Sequence, residues 1–241
     1  MPLPEKLTAI ITGASSGIGL GLTQALLGRG WNVVATSRTV SKSKDLIPSE
    51  NLVLVDGEAS RKQTAVEVVG AGLSRFGRID LLVNNAGIFI PKAFTDYTED
   101  DFNRVVSTNV ASMFFMTQQV IPAMKKQHSG HVVNISTVLA EQPSGALFAL
   151  LAVLSKSPMP AVSRALALEY AGDNIRFNTV SPGSVNTPML ANEDHAALGK
   201  FHPLGRIAEI SDVVDAVLYL QNATFVTGEN LRVDGGFHAG R

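Results

Sequence analysis

Two stretches of this sequence set reactive residue types at spacings that could do chemistry. Residues 12–19 read TGASSGIG, with Gly13, Gly17 and Gly19 just ahead of a segment of helical apolar spacing. Glycine at such a junction lets the backbone turn sharply and come close to a phosphate. The N–H groups opening the next helix, and the positive end of its dipole, then favour the anion. Ser15, Ser16 and Ile18 lie in the same turn. In the second stretch nine apolar residues, 146–154, run directly into Ser155 and Lys156. An ammonium ending so apolar a run is either a plain helix residue or a cation held at a site.

The elements that must position these groups alternate along the chain. Residues 7–11, 32–36, 52–55, 80–83, 131–136, 174–181 and 231–234 are short apolar runs of strand type. Between them, residues 18–30, 99–127 and 210–222 have helical spacing, and 99–127 reads as one long helix with Pro122 near its end. Near-continuous apolar strands separated by helices predict a parallel sheet covered on both faces. The expectation is an α/β, Rossmann-like doubly wound fold of about seven strands, forming a single domain over residues 1–241 with no internal linker. The glycine turn follows the first strand and opens the first helix, the context that gives a glycine motif weight.

Composition narrows the function classes. With 20 Lys and Arg against 21 Asp and Glu, the net charge is −1, so the basic face that nucleic acid needs is not expected. Cysteine is absent, which excludes disulfides and thiolate-bound metal. The nine-residue apolar run is far short of the roughly 20 residues of a membrane span. The opening MPLPEKL has no apolar core of a leader, so a cytoplasmic protein is expected.

The glycines are spaced Gly-x-x-x-Gly-x-Gly, and in this they resemble the short-chain dehydrogenase/reductase family. The resemblance runs over nearly the whole chain: NNAG at 84–87, Asn109 in STNV, NIST at 134–137, SPG at 181–183, Thr187, and VTGENLRVDGG at 226–236. It implies a nicotinamide dinucleotide held by Gly13, Ser15, Ser16, Gly17, Ile18 and Gly19, by Asn85, Ala86 and Gly87, and by Lys156. Pro182, Gly183, Val185 and Thr187 would flank its nicotinamide end, and Asp56 resembles the family's adenine-side carboxylate. A dinucleotide domain that selects NAD carries an acidic residue about 20 positions past its glycines. Here residues 36–39 read TSRT and no carboxylate appears before Asp45. Arg38 offers a planar charged fork to a 2′-phosphate, with Ser37 and Ser15 as hydroxyl donors, which predicts NADP(H). The resemblance also implies a small-molecule carbonyl or alcohol substrate, a covering segment at 184–206, and a homo-oligomer, most often a tetramer, built on the helices near 99–127 and 148–171.

One residue of the family's active site is missing. The resemblance calls for Tyr-x-x-x-Lys, in which the phenol moves a proton to or from the substrate oxygen. Lys156 is present, but Ala152 stands four residues before it, and Tyr97, Tyr170 and Tyr219 lie elsewhere. Thr137, with Ser136 beside it, matches the family's serine, and Asn109 its asparagine. Three replacements for the lost acid are open. His195, His202 and His238 could hold a zinc ion, because three imidazoles with an open fourth position polarise a carbonyl and acidify a bound water. His128 and His131 are expected on a surface loop instead. Glu141 could act as an acid if desolvation raises its pKa, or join a metal. Lys156 itself, or Thr137 through water and Asn109, could deliver the proton. Pro158 and Pro160, just past Lys156, should disturb the helix beginning there. Phe89, Leu139, Phe148, Met189 and Leu190 suggest a mainly apolar pocket. Oxidoreduction of a carbonyl is the favoured activity. A non-redox sensor or scaffold that binds NADP, or a lyase-type enzyme on the same fold, is the alternative.

Overall fold

The computed structural model describes residues 6–145 and 147–239, so Ala146 of the apolar run and most of the N-terminal stretch lie outside the described residues. The apolar runs form β1 (Thr8–Thr12), β2 (Asn32–Ser37), β3 (Leu52–Asp56), β4 (Leu81–Asn84), β5 (Gly130–Ile135), β6 (Ile175–Pro182) and β7 (Asn230–Val233). They make one seven-stranded sheet in the order β3-β2-β1-β4-β5-β6-β7, with every neighbouring pair parallel. The helices are α1 (Gly17–Gly28), α2 (Lys62–Phe76), α3 (Glu99–Val105), α4 (Ser112–Gln127), α5 (Leu150–Lys156), α6 (Pro158–Glu169), α7 (His195–Gly199) and α8 (Ile210–Asn222). No helix among the described residues is long and apolar enough to cross a membrane.

Alternation along β1 shows how the layers divide. Ala9 and Ile11 point into a core closed by Leu22 and Leu26 of α1 and Val213 and Val217 of α8. Ile10 points the other way, into a core closed by Val68 of α2, Met116 of α4 and Ala167 of α6. Both faces are therefore dry, which is why the strands read as continuous apolar runs rather than alternating ones. Each fully buried aliphatic side chain contributes roughly 1.5–3 kcal/mol relative to leaving it in water.

Strand order reverses between β1 and β4, and in open α/β sheets the crevice past the strand ends at that point is where ligands bind. Helix breaks shape the rest of that crevice. The expected long helix over 99–127 is present but passes through a π-helical stretch, Val106–Ala111, between α3 and α4. Such widened turns recur at functional sites, and here the stretch carries Asn109 fully buried. The segment after Lys156 is divided as its prolines demand: α5 ends at Lys156 and α6 starts at Pro158.

Candidate active site

The turn after β1 is shaped by what glycine alone permits. Gly13 and Gly17 have φ of +67° and +54°, the left-handed region that L side chains rarely adopt. At Gly19 a Cβ would lie 2.3 Å from the carbonyl oxygen of Gly13, so no side chain fits. The turn is tied to the end of β4. Asn85 Nδ2 donates to the carbonyl oxygens of Thr12 at 2.9 Å and Gly13 at 3.3 Å. The Thr12 hydroxyl accepts from the backbone N–H of Asn85 and of Ala86, both at 2.9 Å, and donates to Val83 O at 3.3 Å. Ser16 takes the N-cap position of α1 without a side-chain cap, which leaves the first-turn N–H groups for an anion.

A cavity of about 560 Å³ opens over this turn and runs to Lys156 and the 182–190 segment. Every cofactor-side residue expected from the sequence lines it except Gly19, which packs against Gly13 and Asn85, and Asp56. The Asp56 carboxylate is occupied elsewhere, accepting from the Ser41 backbone at 2.8 Å and its hydroxyl at 2.5 Å. Those bonds hold its pKa below the usual carboxylate value. Its neighbours Gly57 and Glu58 take its place in the wall. Arg38 lines the same end, beside Ser37, whose hydroxyl is buried without a hydrogen-bond partner. A pyrophosphate cradle with an unmet hydroxyl and a free guanidinium at its far end fits a dinucleotide carrying an extra phosphate. When bound, such a nicotinamide cofactor supplies or accepts a hydride.

At the other end Lys156 is half-buried, and its ammonium donates to the carbonyl oxygens of Ile135 at 3.2 Å and Ser136 at 3.3 Å. Burial pushes its pKa down to about 8. Ala152, one helical turn earlier, lines the cavity beside it, as does Thr137. The Thr137 hydroxyl oxygen accepts from Leu139 N–H at 3.3 Å, leaving its proton to donate. Ser136 differs: its hydroxyl donates to the Lys156 carbonyl oxygen at 3.0 Å.

Two expected catalytic residues do not line the cavity. Asn109 holds the loop after Gly87. Its Oδ1 accepts from Ile88 N–H at 2.8 Å, and its Nδ2 donates to Ile88 O at 3.1 Å and Ser155 Oγ at 2.9 Å. Ser155, which sequence reasoning passed over, thus links the π-helical stretch to α5. Glu141 faces β7, where its carboxylate accepts from Asn230 and pairs with Arg232 at 2.5 Å. A carboxylate bound this way is not a free acid at the substrate end.

The three-histidine zinc site is also corrected. His202 lines the cavity, but both ring nitrogens are used: Nδ1 donates to Asp234 O at 2.6 Å and Nε2 accepts from Ser184 N–H at 3.3 Å. His195 Nε2 donates to Leu190 O at 2.9 Å, and His238 Nδ1 pairs with Asp234 Oδ2 at 2.7 Å. Among the described residues no group of three or more His, Cys, Asp or Glu side chains converges on a metal position. His131 is likewise not on a surface loop. It lies buried in β5 between Gln221 at 2.8 Å and Asn178 at 3.0 Å, and burial with the nearby Arg176 lowers its pKa to about 3. Phe148 is 63% exposed; Leu147 lines the pocket in its stead, with Phe89, Leu139, Met189 and Leu190 as expected. Phe237 closes the wall from the C-terminal end, a contribution that no local pattern announced.

A glycine cradle at the switch point of a doubly wound sheet, in a cavity that ends at a half-buried lysine, defines a dinucleotide-binding α/β fold. Residues 13–238 match the family model described as enoyl-(acyl carrier protein) reductase. The 3-oxoacyl-[acyl-carrier-protein] reductase FabG of Thermotoga maritima is 33% identical over 96% of this chain and 98% of its own. A 3-ketoacyl-(acyl-carrier-protein) reductase from Brucella melitensis, solved with NADH, superposes with a TM-score of 0.90 at 29% identity, covering 97% of this chain and 98% of that one. ElxO, solved with NADP bound and, as a tyrosine-to-phenylalanine variant, with NADPH bound, gives a TM-score of 0.88 at 27% identity over 97% of this chain and 99% of its own. The chain belongs to the short-chain dehydrogenase/reductase family and is an oxidoreductase.

Proposed function

We propose that this chain is an NADP(H)-dependent reductase of carbonyl compounds in which Thr137 hydrogen-bonds the substrate oxygen and Lys156 supplies the proton. The observation that carries the reading is the half-buried Lys156 ammonium, one helical turn from Ala152 in a cavity wall that Thr137 shares. Hydride addition to a carbonyl builds negative charge on oxygen, which needs a donor aimed at it and a proton to end on. A lysine with a pKa near 8 is mostly protonated at neutral pH yet acidic enough to give the proton up. Arg38 and the unmet Ser37 hydroxyl support NADP(H) over NAD(H), in line with NADP in ElxO. The relatives' names point to 3-oxoacyl thioesters as the substrate class, and the apolar wall of Phe89, Leu139, Met189 and Leu190 suits an acyl chain. A homo-oligomer belongs to the same reading, because Phe102, Phe114, Leu150 and Leu154 are exposed on the α3, α4 and α5 faces. Light scattering of the purified chain checks the assembly.

The direct test is NADPH oxidation with acetoacetyl-CoA as the probe thioester. Turnover is expected, and Ala152→Tyr should raise it by adding a phenol next to Lys156. One observation favours a second reading. Ala152 carries no proton, while Ser136 and Asn109 are occupied with the protein's own backbone. That suits a chain that binds NADP without using its hydride. Tight NADPH binding with no oxidation across acetoacetyl-CoA, simple ketones and aldehydes would establish this second reading instead.

A further inference from the structure

The passage from α5 to α6 sets up an unusual pairing. Ser157, between the two helices, keeps helical dihedrals of φ −56° and ψ −33°, so the backbone nearly continues from one helix into the next. In a continuous α-helix each carbonyl accepts from the N–H four residues on. For Lys156 that residue is Pro160, which has no N–H to give. Ser136 provides the donor in its place, its hydroxyl reaching Lys156 O at 3.0 Å. The contact is returned, because the Lys156 ammonium donates to Ser136 O at 3.3 Å. Ser136 and Lys156 thus hold each other at two points, side chain to main chain in both directions. The Ser136 end is itself fixed: its N–H donates to Val180 O at 2.8 Å, which continues the pairing beside β6, and the residue is 2% exposed. One step further on, Ser157 Oγ donates to Ala140 O at 3.2 Å and secures the same junction.

We infer that Ser136 is a positioning residue for Lys156, which Pro160 makes necessary by leaving the Lys156 carbonyl without its helical donor, and that the hydroxyl facing the substrate is Thr137 alone. This rests on the proposed role of Lys156 as proton source. A lysine stem has four rotatable bonds, so without a fixed backbone and a fixed head its ammonium would sweep an ångström or more. A misplacement of about 1 Å can cost about 100-fold in rate. The reciprocal clasp removes that freedom at both ends of the side chain.

The test is a cycle of Ser136→Ala, Ser136→Thr and Ser136→Ala combined with Pro160→Ala. Two quantities are read: kcat and KM for acetoacetyl-CoA with NADPH, and the Lys156 pKa from NMR of lysine carrying ¹³C at Cε in cofactor-free protein. Ser136→Ala is expected to lower kcat by about 10-fold to 100-fold with a smaller change in KM. It should also move the Lys156 titration upward as the ammonium reaches water. Ser136→Thr keeps the hydroxyl and should restore both. The double variant should regain most of the lost kcat, because residue 160 then brings an N–H to the Lys156 carbonyl. A merely structural or substrate-touching serine would not be rescued from position 160, so absence of rescue overturns the inference. So does an unchanged Lys156 titration in Ser136→Ala. If Ser136→Ala does not fold, Pro160→Ala alone decides. Its new amide should be protected from hydrogen exchange by the Lys156 carbonyl, and a freely exchanging amide overturns the inference. Full turnover in Lys156→Met would sink the proposed function. A dead Lys156→Met with an unaffected Ser136→Ala would sink this inference only.

Discussion

The two ends of the cavity are built by different means. At the cofactor end the backbone does the work: positive φ at Gly13 and Gly17, a contact at Gly19 that excludes a Cβ, and N–H groups at the start of α1. At the substrate end the work falls to side chains that meet across long stretches of chain. Ser136 reaches Lys156, Glu141 reaches Arg232, and His202 reaches Asp234. Backbone shape tolerates few substitutions and is written in adjacent residues. Side-chain partnerships can be exchanged, and each partner can be redirected without disturbing the sheet. Under the proposed function, the contrast accounts for a chain that holds its cofactor with an intact cradle while proton transfer rests on Lys156.

The comparison breaks most sharply at Gly19. Gly19→Ala places a Cβ 2.3 Å from the Gly13 carbonyl oxygen, so the turn must open. Loss of NADPH binding by fluorescence titration is expected, with the circular dichroism of the sheet retained. Binding within about threefold of the unaltered protein would mean that the cradle is softer than its contacts imply. At the other end Lys156→Met should lower kcat by roughly 10²–10⁴, the range that general acid catalysis supplies. NADPH-linked reduction should also fall as pH rises through about 8, where the Lys156 ammonium loses its proton. The reverse oxidation should rise over the same window.

Lys156 allows the same contrast to be read in stability. Its pKa is about 8 in the folded protein against an ordinary 10.5, so between those values the unfolded chain binds more protons. Stability from this group therefore rises with pH across that window, by as much as about 3 kcal/mol at roughly 1.36 kcal/mol per unit. Lys156→Met lacks the rise, and urea unfolding of the two proteins at pH 8 and pH 10 measures it.

What could be read in advance follows the same division. The strands, α1, α8 and the α3–α4 pair were legible because two dry sheet faces force continuous apolar runs and helices with one apolar stripe, whereas α2 and α7 were not read in advance. The cradle was legible because glycine at those positions has a geometric cause visible within eight residues. The roles of Glu141, His202 and His238 were not. Each residue type suits several partners, and the partner chosen depends on which strands end side by side. Arg232, 91 positions past Glu141, reaches it only because β7 lies at the sheet edge next to β6. His131 misled for a related reason: a histidine beside a turn reads as exposed until Gln221 and Asn178 are seen to satisfy both ring nitrogens inside the sheet. Pro160 was legible as a helix disturbance. Its consequence, a carbonyl handed to Ser136, needed the third dimension.

Arg38 carries a smaller expected effect. A charge-assisted hydrogen bond contributes about 1.5–3 kcal/mol, so Arg38→Ala should cut the preference for NADPH over NADH by roughly 10-fold to 100-fold. The cavity's cradle end is unchanged by this substitution, so NADH binding should hold steady. A parallel loss of both cofactors would assign Arg38 to the loop's shape rather than to the 2′-phosphate.

The smallest effect is expected at Glu141, and it bears most directly on whether the substrate end is a set of exchangeable partnerships. Its carboxylate and the Arg232 guanidinium are each about one-third exposed, at 30% and 35%. Water screens the attraction at such exposure, and pairs of this kind contribute roughly 0–1 kcal/mol. Glu141→Gln keeps an acceptor for Asn230 and Arg232 while removing the acid. Stability by urea unfolding should fall by less than about 1 kcal/mol, and kcat should stay within about twofold. A collapse of kcat with the fold intact would return Glu141 to the reaction, and the lysine would then no longer stand as the proton source. A normal kcat would leave the carboxylate as a strap between the loop after β5 and the edge strand β7, holding the wall that Thr137 and Leu139 present to the cavity.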